Sequence, residues 1–184
     1  ARASRCLVLL GTLLLAACAS GQGGAGKPNQ VDTARVEAYL RTAQLTNAPF
    51  VQTWPNGAMG SGALTYHPGY LHLAYTTPQG TDLEAAGNHA VFKDSQTGSE
   101  TRMGLAHNAL GLLMGNPIKL SGAVQVTDVQ KTPGVLQISI ARSDNPSQGL
   151  VTLVFQDLGR ALILKDIRLV DERRHTLFIA LQPQ

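Results

Sequence analysis

Five histidines, twelve acidic residues and two cysteines are the side chains of this 184-residue chain from which catalysis or metal binding could be built. Their spacing builds neither. No His-Glu-x-x-His, paired Cys-x-x-Cys or Gly-x-Ser-x-Gly pattern occurs, and Gly60-Ser61-Gly62 has the wrong spacing for a nucleophile elbow and falls at a predicted hairpin. His67 and His72 are five apart, so a continuous strand would place them on opposite faces. Asp82 and Glu84 share one predicted strand and Asp94 and Asp166 are spread over two others, with no close pair resembling the carboxylates a glycosidase uses. No catalytic residue, metal ligand or cofactor is nominated, and the expected activity is non-enzymatic.

The residue with a definite chemical assignment is Cys18. Arg2 and Arg5 begin a short cationic segment, and Cys6 to Leu15 form an apolar run too short to span a bilayer, which needs about 20 residues. That pattern reads as an export signal over residues 1–17. Its end, Leu15-Ala16-Ala17-Cys18, resembles the lipobox of bacterial lipoproteins, which implies acylation of the Cys18 thiol and cleavage before it. Cys6 lies in the removed segment, so Cys18 would be the sole cysteine of the mature chain and has no disulfide partner. Several long acyl chains, at about 0.8 kcal/mol per buried methylene, make a permanent membrane anchor. The Gly-rich stretch that follows makes residues 18–30 a lipidated, flexible tether.

Charge narrows the partners further. The formal net charge is +3, but removing Arg2 and Arg5 leaves thirteen basic residues against twelve acidic ones. No basic stripe is left to track phosphates, so a nucleic-acid partner is not expected. With 43% hydrophobic and 15% charged residues, the remainder can bury a sizeable core, and residues 31–184 read as one monomeric domain without repeats.

The elements that must position any binding residues are mostly strands. Val36, Tyr39, Leu40 and Ala43 share one face of a first helix, with Asp32 as its predicted N-cap. Turn signals such as Pro55-Asn56-Gly57, Pro68-Gly69, Pro78-Gln79-Gly80 and Gly87-Asn88 then recur every 8 to 12 residues, which predicts an antiparallel meander. A second group of strands runs from Ala123 to Leu181, with clear alternation in Leu136, Ile138 and Ile140 and in Leu177, Ile179 and Leu181. Between the groups, Gly104 to Gly115 is apolar and uncharged, as expected of a short helix lying over a sheet. Several strands are apolar on both faces. A sheet of about ten such strands must curve or be covered on both sides. The expected class is α+β: a strongly curved, unclosed antiparallel β-barrel with an N-terminal helix and short helices covering its concave face.

Trp54, Leu64, Tyr66, Leu71, Leu73, Tyr75, Phe92, Leu110, Leu113 and Met114 carry more apolar surface than a simple core needs. They could line a hydrophobic cavity or pack against one another, and composition alone leaves both open.

The run from Gly60 to Pro78, with its apolar strand, His67-Pro68-Gly69 and second strand ending in Tyr75, resembles the early segment of the outer-membrane lipoprotein carrier (LolA-like) family. Gly87 to Phe92, Leu110-Gly111-Leu112-Leu113 as a lid helix, and Ile167 to Asp171 followed by His175-Thr176 are similar to later family segments in order and spacing. The resemblance implies an unclosed barrel whose covered concave side holds the acyl chains of lipoproteins in transit, together with lipoprotein-export partner proteins. It also implies a lid latch at His67, where the family has an arginine and a mostly neutral imidazole would weaken the contact. The lipobox is instead similar to the lipid-anchored receptor LolB, which shares the fold. The expectation is a lipoprotein of the Gram-negative envelope, anchored in the outer membrane and facing the periplasm, that binds lipoprotein acyl chains. The alternative is an interaction or assembly lipoprotein whose interior is a filled core.

Overall fold

The computed structural model of the protein describes residues 30–183. The expected export signal, Cys18 and most of the expected tether lie outside the described residues. Helix α1 (Gln30–Thr42) leads into eleven strands: β1 (Leu45–Thr53), β2 (Met59–His67), β3 (Tyr70–Thr77), β4 (Thr81–Ala86), β5 (His89–Asp94), β6 (Ser99–Gly104), β7 (Val124–Thr132), β8 (Val135–Arg142), β9 (Gly149–Asp157), β10 (Leu162–Asp171) and β11 (Thr176–Leu181). A 3₁₀ helix, Ala109–Leu113, lies between the two groups, and a second, Pro146–Gln148, joins β8 to β9.

All eleven strands form one antiparallel sheet in the order β6-β5-β4-β3-β2-β1-β11-β10-β9-β8-β7. Two meanders are joined by the pairing of β1 with β11, for example Phe50 opposite Leu181. The outer strands β6 and β7 do not pair with each other, so the sheet stays open. Helix α1 touches β2, β7 and β10. Strands β2 and β7 are six inter-strand steps apart, roughly 29 Å on a flat sheet at about 4.8 Å per step, whereas a 13-residue helix is about 20 Å long. Only a curved sheet lets one helix reach both, and the expected open, curved antiparallel sheet with an N-terminal helix is the architecture found.

Alternation decides what the sheet buries. Leu136, Ile138 and Ile140 of β8, Val151, Leu153 and Phe155 of β9, and Leu64 and Tyr66 of β2 point inward onto Val36 and Leu40 of α1. Tyr39 sets its ring edge-on to Phe155, 5.1 Å between centroids. The opposite face carries the polar alternates, where Ser139 and Thr152 meet hydroxyl to hydroxyl at 2.8 Å.

Several details differ from the sequence expectation. The sheet has eleven strands rather than about ten, because Ser99–Gly104 adds an edge strand. Asp32 lies inside the first turn of α1 rather than at its cap, and its buried carboxylate accepts from Arg35 (2.9 Å) and Lys131 (3.2 Å). Arg35 also grips Asp157 of β9 with two hydrogen bonds, of 2.7 and 3.1 Å, and donates to the Gly159 carbonyl. This charged cluster fixes the start of α1 to the sheet. Gly60-Ser61-Gly62 lies within β2, not at a hairpin: a register shift falls at Ser61/Gly62, and a Cβ on Gly62 would collide with the Ala74 carbonyl oxygen.

Candidate functional site

The inner face of the sheet is covered by α1 and by the 3₁₀ segment Ala109–Leu113, which packs over β8, β9 and β10. We refer to residues 109–114 as the lid. It begins where Asn108 in extended conformation accepts a hydrogen bond from the Leu110 amide at 2.9 Å, and it ends where the Met114 amide returns to the Gly111 carbonyl. Gly111 is required at its centre, since a Cβ there would strike the Leu105 carbonyl oxygen. Five residues of 3₁₀ helix have little intrinsic stability. The lid is held mainly by Leu110, Leu112, Leu113 and Met114, which are buried against the sheet.

One hydrogen bond from the sheet reaches the lid among the described residues: Tyr66 Oη of β2 donates to the Leu113 carbonyl at 2.9 Å. Burial pushes the Tyr66 hydroxyl well above the ordinary phenol range, so it remains a donor throughout the physiological range. His67, the residue expected to latch the lid, is exposed, its ring stacked on Tyr70 with Nδ1 3.2 Å from the Pro68 carbonyl. The side-chain hydrogen bond that does reach this segment comes from the neighbouring residue, Tyr66. Strand alternation explains the difference, because Tyr66 points inward and His67 outward. The lid's exit is tied to α1, where Arg41 Nε donates to the Ile118 carbonyl and Glu37 accepts from the Leu120 amide.

The other expected cavity residues divide clearly. Leu64, Leu71 and Leu73 are fully buried, and Tyr75 joins them with its hydroxyl on Gln52 Oε1 at 2.6 Å, its pKa pushed up to about 12 chiefly by burial. Trp54 stacks on Tyr75 at 5.8 Å and is half-buried. Phe92 is half-buried on β5, opposite Leu83 and beyond the main cluster. Under the lid, Tyr66 and Leu113 meet Leu40, Leu45, Leu153, Leu164 and Ile167 around a void of only about 10 Å³. Leu40 was placed from sequence on the shared face of the first helix but not in the cavity, and Leu45, Leu153, Leu164 and Ile167 were not named as lining it, because apolar residues on both faces of β9 and β10 hide which side chains point inward. These side chains pack against one another.

His67 and His72 both lie on the outer face, because the Pro68-Gly69 turn pairs His67 with Tyr70 and His72 with Thr65. The continuous strand that would have separated them is interrupted by that turn. His72 Nε2 lies 2.6 Å from Asp82 Oδ2, and His175 Nδ1 lies 3.1 Å from Asp171 Oδ2. Neither imidazole has a serine or cysteine within hydrogen-bond distance among the described residues. Three or more potential ligands do not converge anywhere among them as a metal site would need. No described helix is long and apolar enough to cross a membrane.

Comparison with solved structures finds similarity to a LolA superfamily protein from Nitrosomonas europaea. The identity is 9%, the TM-score 0.42, and the match covers 83% of this chain and 91% of that one. A DUF1329 family protein from Desulfovibrio piger is similar at 9% identity and TM-score 0.43, over 82% of this chain and 89% of that one. No protein-family model matches the sequence, and no curated protein matches it. The fold assignment rests on the strand order and register described above, not on these matches.

Proposed function

We propose that the protein binds the acyl chains of lipoproteins on the inner face of its open sheet, in the space that the lid occupies in the closed conformation, and acts without chemistry in lipoprotein transport or insertion at the outer membrane. The observation that carries this reading is an uncharged apolar lid seated by a single hydrogen bond from the sheet. Energetics favour exchange. Four buried lid side chains at about 1.5–3 kcal/mol each are worth roughly 6–12 kcal/mol, and an acyl chain gains about 0.8 kcal/mol per methylene, so about 8 to 15 methylenes match the lid. That range includes a palmitoyl chain. The LolA-like order of segments from Gly60 to Thr176 supports the same reading, and the lipobox-like Leu15 to Cys18 supports a lipid anchor that holds the domain on the periplasmic side of the envelope.

Native mass spectrometry of the purified protein, with titration of a fluorescent fatty acid, tests the binding. Co-purifying lipid or saturable uptake supports it; a protein that is empty and takes up nothing overturns it. For the anchor, Cys18→Ser abolishes labelling by radioactive palmitate, and persistent labelling removes the lipobox assignment. The filled interior favours a second reading, an assembly lipoprotein with no lipid cargo. It predicts the empty outcome.

A further inference from the structure

Five large hydrophobic side chains are exposed among the described residues, and four of them lie at one end of the molecule. Val135 of β8 and Ile163 of β10 flank Gln156 of β9 on the outer face of the sheet. Leu158 sits in the adjoining β9–β10 turn. Val31, the most exposed at 69%, comes from the first turn of α1 and lines a cleft of about 620 Å³ with Pro133 and Gly134 of the β7–β8 turn and with Asp157 and Gly159. A 2.9 Å hydrogen bond from the Asp157 amide to the Gly134 carbonyl ties the two turns together. The fifth, Met59, starts β2 at the other end. Exposed apolar residues scattered singly need no explanation, whereas a cluster at one end marks a contact surface.

The charges at this end suit a lipid contact. Its two carboxylates, Asp32 and Asp157, have buried side chains paired with Arg35 and Lys131. Arg160 of the β9–β10 turn is exposed. The two turns and the start of α1 therefore carry a formal charge of about +1 and present no exposed carboxylate. The apolar groups also ring the end instead of forming one flat patch: Val31 lies on the helix side, Leu158 at the tip, and Val135 and Ile163 on the outer face. A protruding, mildly cationic apolar tip matches the soft boundary between phospholipid head groups and acyl chains. The chain also enters the domain here. Gln30 begins α1, and the twelve steps from Cys18 to Gln30 reach at most about 43 Å when fully extended, so an anchor at Cys18 keeps this end close to a bilayer.

We propose that this end is a membrane-docking face: Val31, Val135, Leu158 and Ile163 insert at the head-group boundary of a phospholipid bilayer, Arg160 lies at the level of the phosphates, and the strands stand away from the surface. Strand β10, ten residues and roughly 33 Å long, then holds the β10–β11 turn at the far end. Asn108 and Ala109 share a pocket with Asp171 and Glu172 of that turn, so the start of the lid faces away from the bilayer. The proposal goes beyond acyl binding and rests on the Cys18 anchor only as the tie that brings this face to the membrane.

The test places one tryptophan at a time in the full chain, after Trp54→Phe has removed the sole native one. Leu158→Trp and Val135→Trp report from the two neighbouring turns, and Glu172→Trp reports from the opposite end. Each protein is reconstituted into phosphatidylcholine vesicles with or without bromine on the acyl chains. The expected result is emission at positions 158 and 135 that shifts to shorter wavelength and is quenched by the brominated chains, with neither change at position 172. Emission at 158 and 135 that stays unquenched in protein sedimenting with the vesicles overturns the docking face and leaves the anchor standing. Equal quenching at all three positions overturns the end-on orientation. Protein that does not sediment with vesicles at all overturns both the face and the anchor.

Discussion

Removing the Tyr66 hydroxyl separates a gate from a core. In Tyr66→Phe the ring that walls the inner face is retained, and only the 2.9 Å hydrogen bond to the Leu113 carbonyl is lost. That carbonyl belongs to a residue only 2% exposed, and leaving it unpaired while the lid is closed costs about 1–3 kcal/mol. If an acyl chain binds only when the lid is away, the binding-competent fraction rises by the same factor, roughly 5- to 150-fold. Apparent palmitate affinity should therefore increase while resistance to chemical denaturation decreases. Fluorescence titration of a fatty-acid probe and a urea melt on the same preparation measure both. Opposite signs are the signature of a lid. If affinity and stability fall together, or affinity does not change, Tyr66 and the 109–114 segment are ordinary core and the exchange mechanism is wrong.

Two further predictions follow from the geometry. Gly111→Ala places a methyl group against the Leu105 carbonyl oxygen, so it should unseat the lid by about 1–3 kcal/mol; hydrogen exchange then shows faster amides in 109–114 with β8 and β9 unchanged, and a loss spread evenly over the sheet contradicts this. Asp157 is held at about 2, chiefly by its hydrogen bonds from the Arg35 guanidinium and then by the Gly159 amide. A depressed carboxylate stabilises the fold above its ordinary pKa of about 3.9 and ceases to do so as pH falls towards 2. Denaturation midpoints of the unaltered protein should accordingly drop between about pH 4 and pH 2, and Asp157→Asn should be less stable at pH 7 with a shallower drop. Parallel curves for the two proteins would show that Arg35 and Asp157 do not anchor α1.

The strands were legible where alternation was strong. Leu136, Ile138 and Ile140, and likewise Leu177, Ile179 and Leu181, fixed their faces, and charge-free Gly104 to Gly115 marked the covering segment. Strand β6 escaped because Ser99–Gly104 has one half-buried apolar side chain, Met103, and edge strands need no apolar face. Gly62 signals a turn when read locally, yet it serves a bulge inside β2 whose cause, the Ala74 backbone, is contributed by the next strand. The expectation of a latch at His67 came from the position of the family's arginine, whereas the hydrogen bond to Leu113 is donated by Tyr66, which was already legible as one of the inward apolar side chains. The ties of α1 were not legible at all: Arg35 and Asp157 are 122 residues apart, and no local pattern links them. Asp32 reads as a cap for the same reason, since Lys131 reaches it from β7.

Lid displacement by a bound chain is the claim on which the rest depends. Hydrogen–deuterium exchange of the full chain, measured with and without a saturating palmitoylated ligand, tests it most directly. The account predicts that amides of residues 109–114 lose protection on binding while those of β8, β9 and β10 keep or gain it. Ligand bound with the lid still protected, or no binding at any concentration, would contradict it.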